Sequence, residues 1–495
     1  MKSKFLNFQS VVLIAACIAT FSLFFSCHPK SKEKQIISFK IMKPPATGVI
    51  NESAKTIIVQ VPEDTDVTAL VPVITVSDLA SVSPASGMPQ DFTNPVVYTV
   101  TAENESTVKY TVTVTSDPSG GGGGGSNETV ELTSPITENT TLKDLGLEID
   151  YIYKGNSPLE VTNSATLTIK PGVTIKFVYE GNTGGIKITS GATIIARGTE
   201  NKHIQFIGAN NTKGSWQGIE IKSNTNNQFT YCDFLNMGHT ERDDYGGLQL
   251  NTGATVGVSY CKFTNGKGTG INVDSYGGAC QFTVFSHNVF EGYESFPPVT
   301  ISDSPSLLEK FDMSSDFTNN TKKYIKIYPK PVTKNVTINQ TTVPYYFSNE
   351  IQNLNYTLTI NEGVTVYVER AKDLIASSAT QNACLVINGT EAKKVTITRL
   401  PDATDYWNGI YLDKMKGCVI TNCIVAYGGK NSGAMINLGS SSEVTLRNVE
   451  IKNAEGYGIK FSNCDYNLTH TNVTFANNGK GNVLDCHGDV LNGLP

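Results

Sequence analysis

Four carboxylates in the middle of the chain are of the type needed for acid–base catalysis or for binding a hard cation. They are Glu241, Asp243, Asp244 and Asp274. Carboxylate oxygens are the ligands that Ca²⁺ prefers, so these residues are the candidate calcium ligands. Catalysis is less favoured, because adjacent carboxylates such as Asp243 and Asp244 point to opposite sides of a strand. A solvated loop is the plainer interpretation, and apart from this calcium we predict no cofactor.

Two tyrosines have the chemistry to contact a sugar. Tyr231 and Tyr260 each directly precede a cysteine, in Tyr231-Cys-Asp-Phe and Tyr260-Cys-Lys-Phe. If the cysteine and phenylalanine point inward, the tyrosine, Asp233 and Lys262 face solvent. An aromatic strip flanked by polar groups suits the C–H face and the hydroxyls of a glycan. The alternative is that the rings only stack and stiffen the sheet.

A duplication accounts for most of the chain. Residues 165–175 match residues 356–366 at a shift of 191 residues (356 − 165). The same shift relates Trp216 to Trp407, and we expect these two indoles to have a structural role at a corner rather than to stack on sugars. We therefore assign residues 128–300 and 341–495 to two copies of one unit, with residues 301–340 as a spacer.

A shorter repeat runs inside each copy. A glycine followed by alternating apolar residues recurs at spacings of 29 and 23, then 24 and 25 residues; it begins at Gly218, Gly247, Gly270, Gly409, Gly433 and Gly458. This period, with short strands and no helical stripe, is typical of one coil of a parallel β-helix, whose backbone groups are satisfied only when coils stack. The alternation places Phe263 inside the core and Asp233 outside it.

The region before the repeats has two parts. Residues 36–115 alternate β-branched and aromatic residues with polar ones, as in Thr56-Ile-Ile-Val-Gln-Val, which predicts short antiparallel strands in one sandwich. Residues 116–127 contain six consecutive glycines and are expected to form a flexible linker.

The N-terminal segment, the charge balance and the cysteines indicate the cellular compartment of the protein and the class of its binding partners. The first 27 residues carry Lys2 and Lys4, then an apolar stretch, then Cys27, which is the pattern of an export signal. With 39 Lys and Arg against 45 Asp and Glu, the chain lacks the basic balance of a nucleic-acid-binding protein. The eight cysteines after the signal show no metal-binding spacing and are too few for a disulfide framework, so we expect buried thiols.

Three segments resemble known families. Residues 1–27 resemble a bacterial lipoprotein signal, which implies that Cys27 is acylated and anchors the chain to the outer membrane, at the cell surface or on the periplasmic face. Residues 98–114 resemble the Ig-like spacer domains of Bacteroides-type lipoproteins. Residues 167–175, 191–199 and 216–221 resemble the opening coils of right-handed parallel β-helix proteins with the pectin-lyase-like scaffold. The resemblance implies an all-β chain, with an N-terminal Ig-like β-sandwich followed by a duplicated right-handed parallel β-helix.

The motifs of known enzymes on this scaffold are mostly missing. A hydrolase of the polygalacturonase kind would carry Asn-Thr-Asp, Asp-Asp, Gly-His-Gly and Arg-Ile-Lys on successive coils, and only Asp243-Asp244 is present. The sequence therefore favours a non-catalytic envelope lipoprotein that binds polysaccharide. A polysaccharide lyase or hydrolase with an unrecognised site and a structural or protein-binding scaffold are the alternatives.

Overall fold

The computed structural model describes residues 30–43, 45–61, 65–116, 128–178, 184–238, 246–275, 279–352, 354–376, 383–431 and 433–495. The chain divides into two compact units, with the boundary between residues 120 and 121. The predicted signal with Cys27, the glycine run, and Glu241, Asp243 and Asp244 all lie outside the described residues. Within the described ranges, no helix is long and apolar enough to span a membrane.

The first unit consists of two β-sheets around a shared core. One sheet has the strand order β2-β1-β5 and the other β3-β4-β8-β7-β6. Phe39, Tyr98 and Tyr110 fill the core, because the period-two alternation of these strands turns every second side chain inward. The strands are β1 (Ile36–Met42), β2 (Pro45–Thr47), β3 (Val49–Asn51), β4 (Thr56–Val61), β5 (Pro72–Val76), β6 (Ser81–Ser83), β7 (Val96–Thr101) and β8 (Thr107–Ser116), with a 3-10 helix at Val67–Ala69.

One pairing in this unit differs from the expected antiparallel pattern. Strands β4 and β8 run parallel, with Ile57 opposite Val112. After β4 the chain crosses to the other sheet, where it forms β5, and then returns to form β6, β7 and β8. This crossover allows β8 to lie next to β4 and to run in the same direction. Side-chain alternation reports which face of a strand is buried and carries no information on strand direction.

The second unit is a right-handed parallel β-helix, as the repeats predict. Short strands separated by one-residue or few-residue corners wind around one apolar core. The strands are β9 (Val130–Glu131), β10 (Thr140–Leu142), β11 (Tyr151–Tyr153), β12 (Leu159–Val161), β13 (Thr166–Ile169), β14 (Thr174–Phe177), β15 (Gly185–Ile188), β16 (Thr193–Arg197), β17 (Ile204–Gly208), β18 (Gly218–Ile221), β19 (Asn227–Thr230), β20 (Cys232–Leu235), β21 (Gly246–Asn251), β22 (Thr255–Ser259), β23 (Lys262–Thr264), β24 (Thr269–Asp274), β25 (Gln281–Ser286), β26 (Val289–Glu291), β27 (Val299–Ser302), β28 (Ile325–Ile327), β29 (Val336–Ile338), β30 (Tyr345–Phe347), β31 (Leu358–Asn361), β32 (Thr365–Val368), β33 (Leu385–Asn388), β34 (Val395–Thr398), β35 (Ile410–Leu412), β36 (Cys418–Ala426), β37 (Ala434–Leu438), β38 (Ser442–Lys452), β39 (Tyr457–Phe461), β40 (Tyr466–Ala476), β41 (Gly481–Leu484) and β42 (Val490–Leu491), with a 3-10 helix at Pro305–Lys310.

In copy one each coil contributes a strand to each of three parallel sheets. The first sheet contains β9, β11, β14, β17, β20, β23 and β26; the second contains β12, β15, β18, β21, β24 and β27; the third contains β10, β13, β16, β19, β22 and β25. The core between them holds a stack of phenylalanines on the first sheet, in which Phe263 lies 4.7 Å from Phe234 and 4.6 Å from Phe290 between ring centroids. Phe263 is fully buried, so the inward register predicted for it is confirmed.

The two copies form one continuous solenoid. The second sheet passes without a break from β27 through β28 and β30 to β32, in parallel register. A single apolar core extends from Ile136 to Val483. The segment between the copies therefore belongs to the coil stack.

Some equivalent strands of the two copies lie on different sheets. The shift of 191 residues carries β14 of the first sheet onto β32, which continues the second sheet. It likewise carries β18 of the second sheet onto β35, which pairs with β37, and β37 in turn pairs with β39. In contrast, β31, the equivalent of β13 of the third sheet, pairs with β29, and the 3-10 helix Pro305–Lys310 lies in contact with both β29 and β25 of the third sheet.

The cysteines follow the sequence expectation with one exception. Cys232, Cys261, Cys280, Cys418 and Cys423 are buried free thiols, and Cys384 is half-buried. The exception is a disulfide between Cys464 and Cys486 in the last coils. Their separation of 22 residues is close to the coil period, so stacking of successive coils brings the two sulfurs together.

Candidate functional site

The predicted tyrosines occupy the corner between the third and the first sheets. Tyr231 separates β19 from β20, and Tyr260 separates β22 from β23. Each corner residue has a positive φ, 49° at Tyr231, 54° at Tyr260 and 56° at His287 on the next coil. A single left-handed residue turns the chain sharply, so that the following Cys232 or Cys261 points into the core.

The corner residues stack on one another along the helix axis. The ring centroids of Tyr231 and Tyr260 are 4.7 Å apart at 17°, and those of Tyr260 and His287 are 4.5 Å apart at 7°. At the other end, the His203 ring lies 5.5 Å from that of Tyr231 and is tilted by 57°. We call Tyr231, Tyr260 and His287 the corner ladder. Its Tyr260 is 41% exposed, so the ladder lies at the protein surface.

Copy two has asparagines at the same corner. Asn422, Asn448 and Asn472 have φ values of 48°, 53° and 51°. Their side chains form a chain of hydrogen bonds in which Asn448 donates to Asn422 and Asn472 donates to Asn448, both at 3.0 Å. Asparagine tolerates the left-handed conformation better than most residues, so this is the less strained way to build the corner.

The stacking geometry determines which parts of the rings a ligand can reach. Because neighbouring rings are nearly parallel and about one coil apart, their faces cover each other. The surface of the ladder therefore consists of ring edges and phenol hydroxyls, rather than the broad apolar faces expected from the sequence. Ring edges and hydroxyls together allow both van der Waals contact and hydrogen bonding with a ligand. At the end of the ladder, the exposed His287 ring offers a further surface for stacking.

The other two predicted site residues lie beside the ladder on the first sheet. Asp233 and Lys262 are neighbours in register on adjacent coils. Nδ1 of His203 lies 2.8 Å from Oδ1 of Asp233, and Nζ of Lys262 lies 2.7 Å from Oε1 of Glu291. The structure thus brings all four predicted residues to one edge of the solenoid.

A polar cleft opens on the same sheet. It has a volume of about 250 Å³, and its walls include Lys176, Gln205, Asn210, Asn211 and Asn236. Gln205 is the neighbour of Asp233 in register, so the cleft begins next to the His203–Asp233 pair. Amide groups donate and accept hydrogen bonds, which suits a ligand rich in hydroxyls.

The remaining calcium candidate lies elsewhere. Asp274 is on β24 in the second sheet, half-buried and in register with Asn251 and Ser302. Within the described ranges, the side chains close enough to share an ion are Cys464, Cys486 and His487, and the two sulfurs there form the disulfide. The calcium site stays a prediction from sequence.

Sequence reasoning missed the histidines of this site. His287 stands two residues before the outward Val289 and three before Phe290, which is the spacing of Tyr260 to Lys262 and Phe263. That spacing was the signal for a third ladder position. His203 carries no such signal, because a longer loop separates β16 from β17.

Three family models match this chain. Residues 36–114 match the model described as SGBP, N-terminal, a domain of Bacteroidetes surface glycan-binding proteins. Residues 139–251 match a pectate-lyase-like β-helix domain, and residues 383–491 match a right-handed β-helix region. No curated protein matches the chain.

One similar solved structure is a proposed glycoside hydrolase from Bacteroides thetaiotaomicron, 30% identical with a TM-score of 0.16. The likeness covers 18% of this chain and 27% of that protein, so this chain spans about a quarter of its length.

Proposed function

We propose that this chain, with its SGBP N-terminal domain followed by a pectate-lyase-like β-helix, is a non-catalytic envelope lipoprotein that binds polysaccharide through the corner ladder. The SGBP match supports binding of glycans at the cell surface. The disulfide Cys464–Cys486 supports export, because such bonds persist outside the reducing cytoplasm. Acylation of Cys27 would supply the membrane anchor, and residues 116–127 would supply the linker between the two units.

The observation that carries the proposal is the pair of tyrosines at a left-handed corner. A non-glycine residue in this conformation costs of order 1–3 kcal/mol, and such strain is concentrated at functional sites. Copy two builds the same corner with asparagine, so the fold itself does not require tyrosine. The presence of two stacked tyrosines at this corner of copy one, the exposed Tyr260 and the half-buried Tyr231, is therefore best explained by a ligand.

The geometry suggests how a glycan lies on this surface. Successive rungs of the ladder are 4.7 and 4.5 Å apart and follow the helix axis. A polysaccharide running parallel to this axis would contact several ring edges and the polar groups beside them in succession. The polar cleft beside Asp233 would accept hydroxyls from a chain in this position.

The charges around the ladder favour an uncharged chain. Lys262 is paired with Glu291 at 2.7 Å, and Lys202 is paired with Asp144 at 3.2 Å. A uronate would compete with Glu291 and Asp144 for these partly exposed lysines, whereas neutral hydroxyls need no cation. Neutral polysaccharide is therefore the preferred ligand class.

The decisive experiment replaces the tyrosines with the residue that copy two uses. Tyr231→Asn with Tyr260→Asn keeps the corner conformation and removes the rings. Affinity electrophoresis in gels containing β-glucan, galactomannan, arabinoxylan or polygalacturonate should show retardation of the parent protein by a neutral polysaccharide and at least roughly tenfold weaker binding by the variant.

The matched control is Asn448→Ala, which changes the equivalent corner of copy two and should bind like the parent. Unchanged binding by the double tyrosine variant would refute the site. Formation of unsaturated uronate, seen as ultraviolet absorbance, or release of reducing ends would refute the non-catalytic assignment.

A further inference from the structure

The outer surface of copy two carries a second concentration of aromatic residues, remote in sequence from the corner ladder. We call it the tyrosine strip. Its members lie on or beside β28, β30, β32, β34 and β36, on the outward side of the second sheet. They are Tyr324, Tyr328, Tyr346, Tyr367, Tyr406 and Tyr427. The copy-one part of this sheet instead presents Glu160, Lys187, Glu220 and Gln249, in register on successive coils.

In the duplicated sequence, residues of the strip are equivalent to residues of the polar cleft of copy one. The shift of 191 residues carries Lys176 of the cleft onto Tyr367, and Asn236 onto Tyr427. Arg399 stands between two tyrosines, with its guanidinium carbon 4.3 Å from the ring centre of Tyr427 and 5.3 Å from that of Tyr406. The duplicated surface has thus changed from an amide-lined cleft to a row of aromatic side chains.

The tyrosines are held in place by polar and aromatic contacts. The hydroxyl of Tyr346 donates a hydrogen bond to the Glu369 carboxylate, and burial and this carboxylate raise the pKa of Tyr346. The Tyr324 ring meets the Tyr346 ring edge to face at 5.0 Å. Nζ of Lys326 lies 4.6 Å above the centre of the Tyr328 ring, which is 39% exposed. Rigid aromatic side chains with polar tips are typical of recognition surfaces, because little side-chain entropy is lost on binding.

The row of aromatic side chains in register is interrupted after Tyr367. In register, Tyr346 precedes Tyr367 on one coil, and Thr398 follows it on the next. Threonine is much smaller than a tyrosine ring, and no ring contact to half-buried Tyr367 is found among the described residues. At Tyr367, which we call the Tyr367 step, the strip therefore has a small polar neighbour instead of a further ring.

We infer that the tyrosine strip is a second glycan-binding site, separate from the corner ladder, with the sugar at the Tyr367 step and the exposed Tyr328 as a further contact. Lys326, which lies over the Tyr328 ring, and Glu369, which accepts a hydrogen bond from Tyr346, are the polar groups of the strip that we assign to sugar hydroxyls. A saccharide fits this surface better than a protein segment, because the strip follows the coil axis and, in the part of the chain that the structure describes, β28 to β36 are paired on both edges within the second sheet. The inference does not depend on the corner ladder being a site.

The test removes the exposed Tyr328 ring and the half-buried Tyr367 ring while leaving the buried Tyr346 in place. The variant is Tyr328→Ala with Tyr367→Ala, and the control is Tyr356→Ala, a tyrosine outside the strip that is about as exposed as Tyr328. Isothermal titration of the full chain with oligosaccharides from whichever of the four gel polysaccharides retards it should show two sites per chain in the parent. The strip variant should lose one site, seen as a halved stoichiometry, with the melting temperature close to that of the parent.

Each outcome distinguishes this inference from the proposed function. If the strip variant keeps two sites of unchanged affinity, the strip is not a binding site, whatever the ladder does. If Tyr231→Asn with Tyr260→Asn abolishes all binding and the parent shows one site, the ladder alone binds and the inference fails. If the ladder variant binds normally and the strip variant does not, the strip stands and the ladder proposal fails. If none of the four polysaccharides binds the parent, both fail.

Discussion

Trp216 and Trp407 donate the same hydrogen bond in the two copies. Nε1 of Trp216 is 2.7 Å from the carbonyl oxygen of Leu235, and Nε1 of Trp407 is 2.8 Å from that of Ala426. In each case donor and acceptor are 19 residues apart, and both indoles are almost fully buried. These residues connect consecutive coils at a corner, as their sequence position predicts, and are unavailable for sugar stacking.

Removing the indole donor should destabilise either copy. Trp407→Phe keeps an aromatic ring and deletes the N–H group that Ala426 accepts. A buried carbonyl that loses its partner costs about 1–3 kcal/mol, so the free energy of unfolding in urea should fall by that amount. Trp216→Phe should have a similar effect, and a neutral result for both would show that water replaces the donor.

Phe263 should be the more sensitive of two neighbouring positions. Phe263→Ala removes a fully buried ring that stacks on Phe234 and Phe290, and truncation of a core aromatic costs about 3–5 kcal/mol. Asp233→Ala changes an outward side chain and should cost less than about 1 kcal/mol, since it is a partly exposed pair with His203. Urea unfolding of both variants tests this, and equal losses would contradict the assigned faces.

The buried thiols should resist alkylation in the folded protein. Burial raises the pKa of both Cys280 and Cys418 to about 12. The folded state therefore keeps these thiols protonated. The stability that this protonation contributes is complete below the ordinary thiol pKa of about 8.5 and is lost as the pH rises towards 12. Iodoacetamide at pH 8 should label half-buried Cys384 before them, as measured by peptide mass spectrometry. Rapid labelling of Cys280 in folded protein would contradict this prediction.

Cys27 should determine membrane attachment. Cys27→Ala removes the sulfur that the lipoprotein resemblance marks for acylation, so the protein should leave the membrane fraction or accumulate as unprocessed precursor. Cell fractionation followed by immunoblotting measures both. Normal processing with unchanged membrane association would exclude the lipid anchor.

The repeats were enough to predict the coils and their inward residues. Phe263 and the cysteines after Tyr231 and Tyr260 point inward as the alternation indicates, because that pattern depends only on local strand geometry. The contacts of the candidate site were predictable in part. The two tyrosines follow from their places before Cys232 and Cys261, whereas the approach of His203 to Asp233 depends on a loop with no repeat pattern.

Other features depend on long-range stacking. The pairing of Cys464 with Cys486 requires the distance between two coils, which a cysteine count does not contain. The tyrosine strip assembles from coils of unequal length across the junction, so its members show no regular spacing. The sheet that β32 joins could not be predicted from the sequence either, because a matched motif identifies a strand and leaves open the sheet to which that strand belongs.

The junction between β27 and β30 decides which surface of copy one continues into which surface of copy two. Strand β28 joins the second sheet of copy one to β30 and β32, although the copy-one equivalent of β32 is β14 of the first sheet. The outward residues of copy one and the tyrosine strip of copy two thus share a sheet because of a segment that lies between the two copies. A change in the length of this segment would therefore alter which side chains lie next to each other along the solenoid, without altering any residue of either surface.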